Sequence, residues 1–183
     1  MFQEFNKWRV LGVFFDDPQV SGYQLREISR LVRLAPLSVK RYLAALEKEG
    51  FAHQVPHRVT AHPTYVANAE AEQFRFYKKI NTITAIHDSG LTEFLRKKCL
   101  PSSIILFGSA SRGEDVKESD LDIFLECRRQ QLDLKQFERK LKRKISPFFS
   151  PKLTLLSREL QHNLINGIIL HGYVDFDAPK SQS

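Results

Sequence analysis

Two apolar runs bracket the stretch FGSASRGEDVKESDLDIF, residues 107 to 124. Its residue types suit phosphate and cation chemistry. Gly108 lets the backbone approach a ligand with no Cβ in the way, and Ser109 adds a hydroxyl and a backbone N–H, so this turn can cradle phosphate oxygens. Arg112 supplies a guanidinium suited to a bidentate phosphate contact. Asp120 and Asp122 lead into a strand-like run, where side chains two apart share a face and their Cα atoms lie roughly 7 Å apart. Carboxylates so placed can converge on hard cations. Mg2+ is ordinarily held by one or two carboxylates together with substrate phosphates, and two such ions clamp the attacking and leaving oxygens of a phosphoryl or nucleotidyl transfer. A surface hairpin would also use Gly, Ser and Asp, with Arg112 paired to an aspartate. The full order, strand, Gly-Ser, Arg-Gly, Ser-Asp-Leu-Asp, strand, favours a site.

Those residues need a strand on either side. SSIILF, from Ser102 to Phe107, reads as a buried strand ending at Gly108, and IFLEC, from Ile123 to Cys127, as part of a second. Further on, LDLKQFERKLKRKI reads as a basic amphipathic helix, PKLTLLS as a strand, and RELQHNLINGIILHGYVDF as a final helix and tail. Between Arg128 and Lys144 stand eight basic residues against two acidic ones, which concentrates the charge of the second half. On a helix Lys135, Arg139 and Lys142 share a face, either a channel for a polyanionic acceptor or a solvated surface.

The run from Gly108 to Asp122 closely resembles the signature of the DNA polymerase β-like nucleotidyltransferase superfamily, in particular its minimal nucleotidyltransferase branch, over residues 101 to about 175. The resemblance implies that Gly108 and Ser109 bind a nucleoside triphosphate, with Arg112 and Ser119 completing the motif. It implies too that Asp120 and Asp122 are catalytic and hold Mg2+, ATP being the expected nucleotide. The family usually adds a third acid from the strand after the basic helix; in the alignment expected here Thr154 takes that place, and a threonine cannot hold a metal as a carboxylate does. Glu126 shares the face of the aspartates but lies about 13 Å along the strand from Asp122.

The first third has a different pattern. FNKWRVLGVFF, SGYQLREISRLV with Ser21 as N-cap, and PLSVKRYLAALEKEG carry apolar residues at helical spacing, and AHQV with TYVAN reads as a hairpin. Three helices and a hairpin resemble the winged-helix transcription regulators. In that family the exposed face of the third helix enters the major groove and the wing touches backbone or minor groove, so Ser38, Lys40, Arg41 and Arg58 are the DNA-contact candidates. Nine basic and six acidic residues in 1–68 permit such contact without requiring it.

Residues 69–99 read as a helical connector, broken near His87-Asp88-Ser89-Gly90, with Phe74, Tyr77, Ile80, Ile83 and Ile86 forming one buried stripe and offering a homodimer seam. The expected architecture is an α/β (α+β) chain: a winged helix-turn-helix domain over 1–68, the connector over 69–99, and a minimal nucleotidyltransferase domain over 100–183 with a small mixed sheet flanked by helices. The formal charge of +7 favours polyanionic partners, DNA and a nucleoside triphosphate among them. No run is long and apolar enough to cross a bilayer, nor does the start read as a signal peptide, so no membrane and a cytoplasmic location are expected. Cys99 and Cys127 have no Cys or His neighbour at metal-ligand spacing and read as buried or idle.

Two functions compete on this reading. One is an Mg2+-dependent nucleotidyltransferase that moves a nucleoside monophosphate from NTP to a hydroxyl of protein or RNA. The other is a winged-helix regulator whose degenerate transferase lobe binds nucleotide or a partner protein without turnover; the minimal branch also resembles the antitoxin halves of toxin–antitoxin pairs, which makes a toxin the candidate partner.

Overall fold

The computed structural model describes residues 2–18, 22–56 and 62–174. The chain divides into two compact units: residues 1–81 with the loop 113–117, and residues 82–112 with 118–183. The division after Asn81 falls within residues 69–99, expected above as a helical connector, and inside one helix.

The first unit contains α1 (Phe2–Asp16), β1 (Tyr23–Gln24), α2 (Leu25–Val32), α3 (Pro36–Lys48), β2 (Ala52–Val55), β3 (Thr64–Ala67) and the first part of α4 (Glu72–Ser89). Pro36 opens α3, where its missing N–H costs nothing, and Val39, Leu43 and Leu46 line the buried side with no exposed surface. The three strands form an antiparallel sheet in the order β1-β3-β2, with Ala52 opposite Ala67 and Val55 opposite Thr64, so the expected hairpin is present. Helix α2 starts later than expected. Tyr23 pairs with Tyr65 as a strand, and Gln24 caps the helix, its N–H donating to Glu27 Oε2 at 3.3 Å. The Ser21 cap expected from the sequence lies outside the described residues. Edge-to-face rings knit this core: Trp8 against Tyr77 at 5.8 Å, Phe15 against Phe74 at 5.1 Å, and Phe51 against Tyr77 at 5.4 Å.

The buried stripe of α4 is not the one expected. Phe74, Lys78, Thr82 and Ile86 are buried, stepping by four, whereas Ile80 is exposed and Ile83 half-buried. Phe74 belongs to the first core and Ile86 to the second. Lys78, only 2% exposed, donates from Nζ to the carbonyl oxygen of Asp115 and lies 3.5 Å from that residue's carboxylate, itself buried. Two more contacts hold the same loop: Arg75 Nη1 meets Glu114 Oε1 at 3.5 Å, and Gly113 (φ +72°) packs so closely that a Cβ there would overlap the Arg75 carbonyl oxygen.

The second unit contains α5 (Leu91–Cys99), β4 (Ser103–Phe107), α6 (Gly108–Arg112), β5 (Leu121–Glu126), α7 (Lys135–Leu141), β6 (Ile145–Ser150), a 3-10 turn (Leu153–Leu155), α8 (Arg158–Ile165) and β7 (Ile168–Gly172). The strand order is β6-β5-β4-β7; β4 runs antiparallel to both β5 and β7, while β5 and β6 are parallel. Strand alternation sorts the side chains: Ile104, Leu106, Leu121, Ile123 and Leu125 join Leu91, Leu95, Leu134 and Phe137 on one face, and Ile105 and Phe124 join Leu153 and Leu164 on the other. The mixed helix-and-sheet class is as expected. Two expectations in this unit are corrected. The strand after α7 is Ile145–Ser150 and not 151–157, since Leu153–Leu155 forms a turn; and the end of the expected final helix and tail is the strand β7.

Burial pushes the Cys127 thiol up to about 11 and that of Cys99 upward as well, so at neutral pH both remain protonated and weakly reactive. Among the described residues no helix is long and apolar enough to cross a membrane.

Candidate active site

The site is built where β4 ends and β5 begins. Antiparallel pairing sets Phe107 opposite Asp122, so the turn of α6 that starts at Gly108 lies against the first residues of β5. Gly108 has φ +71°, and a Cβ built on it would overlap Asp122 Oδ2 and come within 3.3 Å of Cγ. The Asp122 carboxylate thus rests on the bare Cα of Gly108. This is the contact that the glycine makes possible: an L side chain would be strained in that conformation and would also displace the carboxylate. Ser111 closes the turn, its Oγ donating to the Gly108 carbonyl at 2.8 Å.

Asp120 is exposed just ahead of β5, and Asp122 is half-buried within it. Both fall on the face that carries Phe124. Burial pushes the Asp122 carboxyl above the ordinary aspartate value, the negative charge of Asp120 pushes it further the same way, and Arg143 pulls it back. Two carboxylates that repel each other over a backbone cradle can coordinate one divalent cation along with phosphate oxygens, and neutralising that repulsion is what such an ion would do. Among the described residues no cluster of three His, Cys, Asp or Glu side chains could hold a metal by itself.

The remaining candidates are distributed as follows. Ser109 is half-buried on the first turn of α6, and Arg112 is exposed one helical turn beyond Gly108. Ser119 is half-buried, and its carbonyl accepts a hydrogen bond from Arg143 Nε at 2.9 Å. In the first unit Ser38, Lys40 and Arg41 are all exposed on α3, with the Arg41 guanidinium 5.7 Å from the Tyr42 ring centre; Arg58 lies outside the described residues.

Two residues that the sequence reading passed over belong to the site. Arg143 straps the start of β5, donating from Nε to Ser119 O and from Nη2 to Asp120 O at 3.2 Å. Ser146 lies opposite Asp122 in the parallel pairing of β5 and β6, and the Leu121 N–H donates to Lys144 O at 2.9 Å beside it. Ser146, not Thr154, therefore occupies the position from which a third carboxylate would come off the neighbouring strand; Thr154 sits in the turn after it. Glu126 is engaged elsewhere, accepting from Ser103 Oγ at 3.1 Å and from the Leu153 N–H at 2.9 Å. The signal for Ser146 was its register, which no local pattern reveals.

Gly108→Ala is expected to cost about 1–2 kcal/mol of stability from the backbone conformation alone, and to weaken nucleotide binding at least about tenfold, or ~1.4 kcal/mol, by displacing Asp122. Thermal melts and nucleotide titrations of the same preparation check both.

No curated protein and no solved structure matches the chain. Residues 90–175, from the α4–α5 break through β7, match the model of the family described as "Polymerase beta, Nucleotidyltransferase", so the part of the chain that carries the Gly-Ser turn and the aspartate pair is of nucleotidyltransferase type.

Proposed function

We propose that the protein is an Mg2+-dependent nucleotidyltransferase that moves a nucleoside monophosphate from an NTP, ATP first among them, to a hydroxyl of protein or RNA. The observation that carries this reading is the Asp122 carboxylate seated on Gly108 with Asp120 beside it. In this reading the backbone N–H groups and hydroxyl at Gly108 and Ser109 hold the triphosphate, with Arg112 at the end of the same turn as a further phosphate contact. Asp120 and Asp122 would hold Mg2+, which when bound supplies charge neutralisation at the triphosphate and the attacking oxygen. Arg143 grips the backbone of Ser119 and Asp120 and so would hold the entry to the aspartate pair in place. The acceptor hydroxyl gives up its proton, to an aspartate carboxylate or to water, as its oxygen attacks the α-phosphorus; the bond from that phosphorus to the bridging oxygen of the β-phosphate breaks, and pyrophosphate leaves with that oxygen.

The first unit, on the same proposal, is a winged helix that binds DNA through Ser38, Lys40 and Arg41 of α3 and Arg58 of the wing. Support comes from the three helices, the β2–β3 hairpin and the exposure of the α3 residues. A shift assay on duplex DNA from upstream of its own coding sequence tests this, with binding lost in Lys40→Ala/Arg41→Ala as the expected result.

A second reading is favoured by Ser146. With a hydroxyl where a third carboxylate is usual, the lobe would bind nucleotide or a partner protein, such as a toxin, without turnover, and the protein would act as a DNA-binding regulator or antitoxin-like partner. Incubation with α-labelled ATP, GTP, CTP and UTP, Mg2+ and cell extract separates the two. Label on an acceptor, absent in Asp120→Ala and Asp122→Ala, supports the enzyme; nucleotide binding with no transfer supports the regulator.

A further inference from the structure

An open groove of about 1320 Å³ in the second unit is lined by residues of α5, α7 and the segments flanking α7. Its charge is one-sided: Lys98, Lys135, Arg139, Lys142, Arg143 and Lys144 line it against Asp133 and Glu138. The two acids are committed to the backbone, Asp133 Oδ1 accepting from the Lys135 N–H at 3.2 Å and Glu138 Oε1 from the Ile145 N–H at 3.1 Å. Among the described residues Lys98, Lys135, Arg139, Lys142 and Lys144 form no ion pair, in contrast to Arg96 and Lys97, which share Glu93. All five are exposed. A patch of unneutralised cations of this size raises its own folding cost by self-repulsion, which a polyanion relieves.

The groove has two other properties that narrow the ligand. Phe94, half-buried, contributes an aromatic surface to the wall, one helical turn before Lys98. At one end the lining adjoins the main chain that leads into β5, since Arg143 is bonded to the carbonyls of Ser119 and Asp120 and Lys144 O to the Leu121 N–H. Cations in a row with an aromatic face among them suit a flexible strand that carries one phosphate per unit and a base that can stack. A lone triphosphate engages only a few cations at one end of such a groove.

We propose that this groove binds a single-stranded nucleic acid by its phosphates, with a base against Phe94, and so delivers the strand's hydroxyl to the Asp120–Asp122 site. The proposal rests on the nucleotidyltransferase reading for that delivery, but the binding itself needs neither NTP nor Mg2+.

The test is fluorescence anisotropy of the full chain with a labelled 12-nucleotide single-stranded RNA, without NTP or Mg2+, over a series of salt concentrations. With four to five phosphates neutralised, log K should fall against log salt with a slope of about −3. Lys135→Glu/Arg139→Glu/Lys142→Glu should weaken binding more than about tenfold and reduce the slope by roughly 2. Lys40→Ala/Arg41→Ala and Asp122→Asn should leave it unchanged, and circular dichroism melts identify any variant that has lost its fold. Phe94→Ala provides a second probe, weakening RNA several-fold while leaving binding of inorganic triphosphate unaltered. Single-stranded DNA and duplex arms, run in the Lys40→Ala/Arg41→Ala background so that the first unit does not contribute, distinguish the source: preference for RNA or equal binding of both single strands supports the proposal, and equal or tighter duplex binding in that background overturns it. Polyglutamate competing as well as RNA, or a charge-reversed variant that binds RNA normally, also overturns it. Nucleotidyl transfer to another acceptor without RNA binding would refute the groove and leave the transferase reading standing; RNA binding without any transfer would do the reverse.

Discussion

Asp122→Asn is expected to lower nucleotidyl transfer by about 10³-fold, equivalent to ~4 kcal/mol of transition-state stabilisation, without unfolding the second unit. Asn keeps the size of the side chain over Gly108 and removes its charge. Because Asp120 and burial both push the Asp122 carboxyl upward, the native charge is held at a cost, and the neutral amide relieves it. The melting temperature of the variant should therefore stay level or rise while activity collapses. That combination separates a functional carboxylate from a structural one, whose removal lowers both. Asp120→Asn should also lose most activity but change stability little, since Asp120 is exposed. Rates of label incorporation and thermal melts on the same protein check the pair, and an Asp122→Asn variant retaining more than a tenth of the wild-type rate would count against the proposed role.

Lys78→Met is expected to destabilise the first unit by about 3–5 kcal/mol. The ammonium is fully enclosed and bonded to the Asp115 carbonyl, with the buried Asp115 carboxylate 3.5 Å away. Methionine fills the volume but removes the ammonium that pairs with the buried Asp115 carboxylate. Asp115→Asn should be milder, because Lys78 keeps the carbonyl, and the double variant should be less unstable than the two losses added, with a coupling of at least about 1 kcal/mol. Trp8, the only tryptophan of the chain, lies in the first unit and reports its urea transition directly. At a slope of about 2 kcal/mol per molar urea the midpoint should fall by roughly 2 M. A shift below about 0.5 M would mean that the pair is solvated in solution.

What could be read from the sequence was what is local. Gly108, Ser109, Asp120 and Asp122 occur within fifteen residues, and strand alternation alone puts the aspartates on one face. The helices and hairpin of the first unit were legible for the same reason, apart from Tyr23, whose strand pairing with Tyr65 is distant in sequence. Ser146 was hidden because β6 reads ISPFFS, with a proline that argues against a central strand, while LTLL looks more strand-like; as the edge strand of the sheet β6 tolerates Pro147. Lys78 was hidden because a lysine on a helix ordinarily faces solvent, and its partner Asp115 is 37 residues away. Arg143 was visible only as one charge in a basic run; its grip on Ser119 and Asp120 depends on the turn after α7 bringing it beside β5. The same folding turned a charge run into a groove in which Lys98, Lys135, Arg139, Lys142 and Lys144 form no ion pair among the described residues.

The most direct measurement of the central claim uses two labels on one nucleotide. Purified protein, Mg2+ and cell extract are incubated with ATP labelled at the α-phosphate or, in parallel, at the γ-phosphate, and both the acceptor and released pyrophosphate are counted. Nucleotidyl transfer predicts α-label on the acceptor, γ-label only in pyrophosphate, one pyrophosphate per label incorporated, and loss of both signals in Asp122→Asn. Label arriving from the γ-phosphate, or none from either position with any nucleotide while nucleotide still binds, would contradict it.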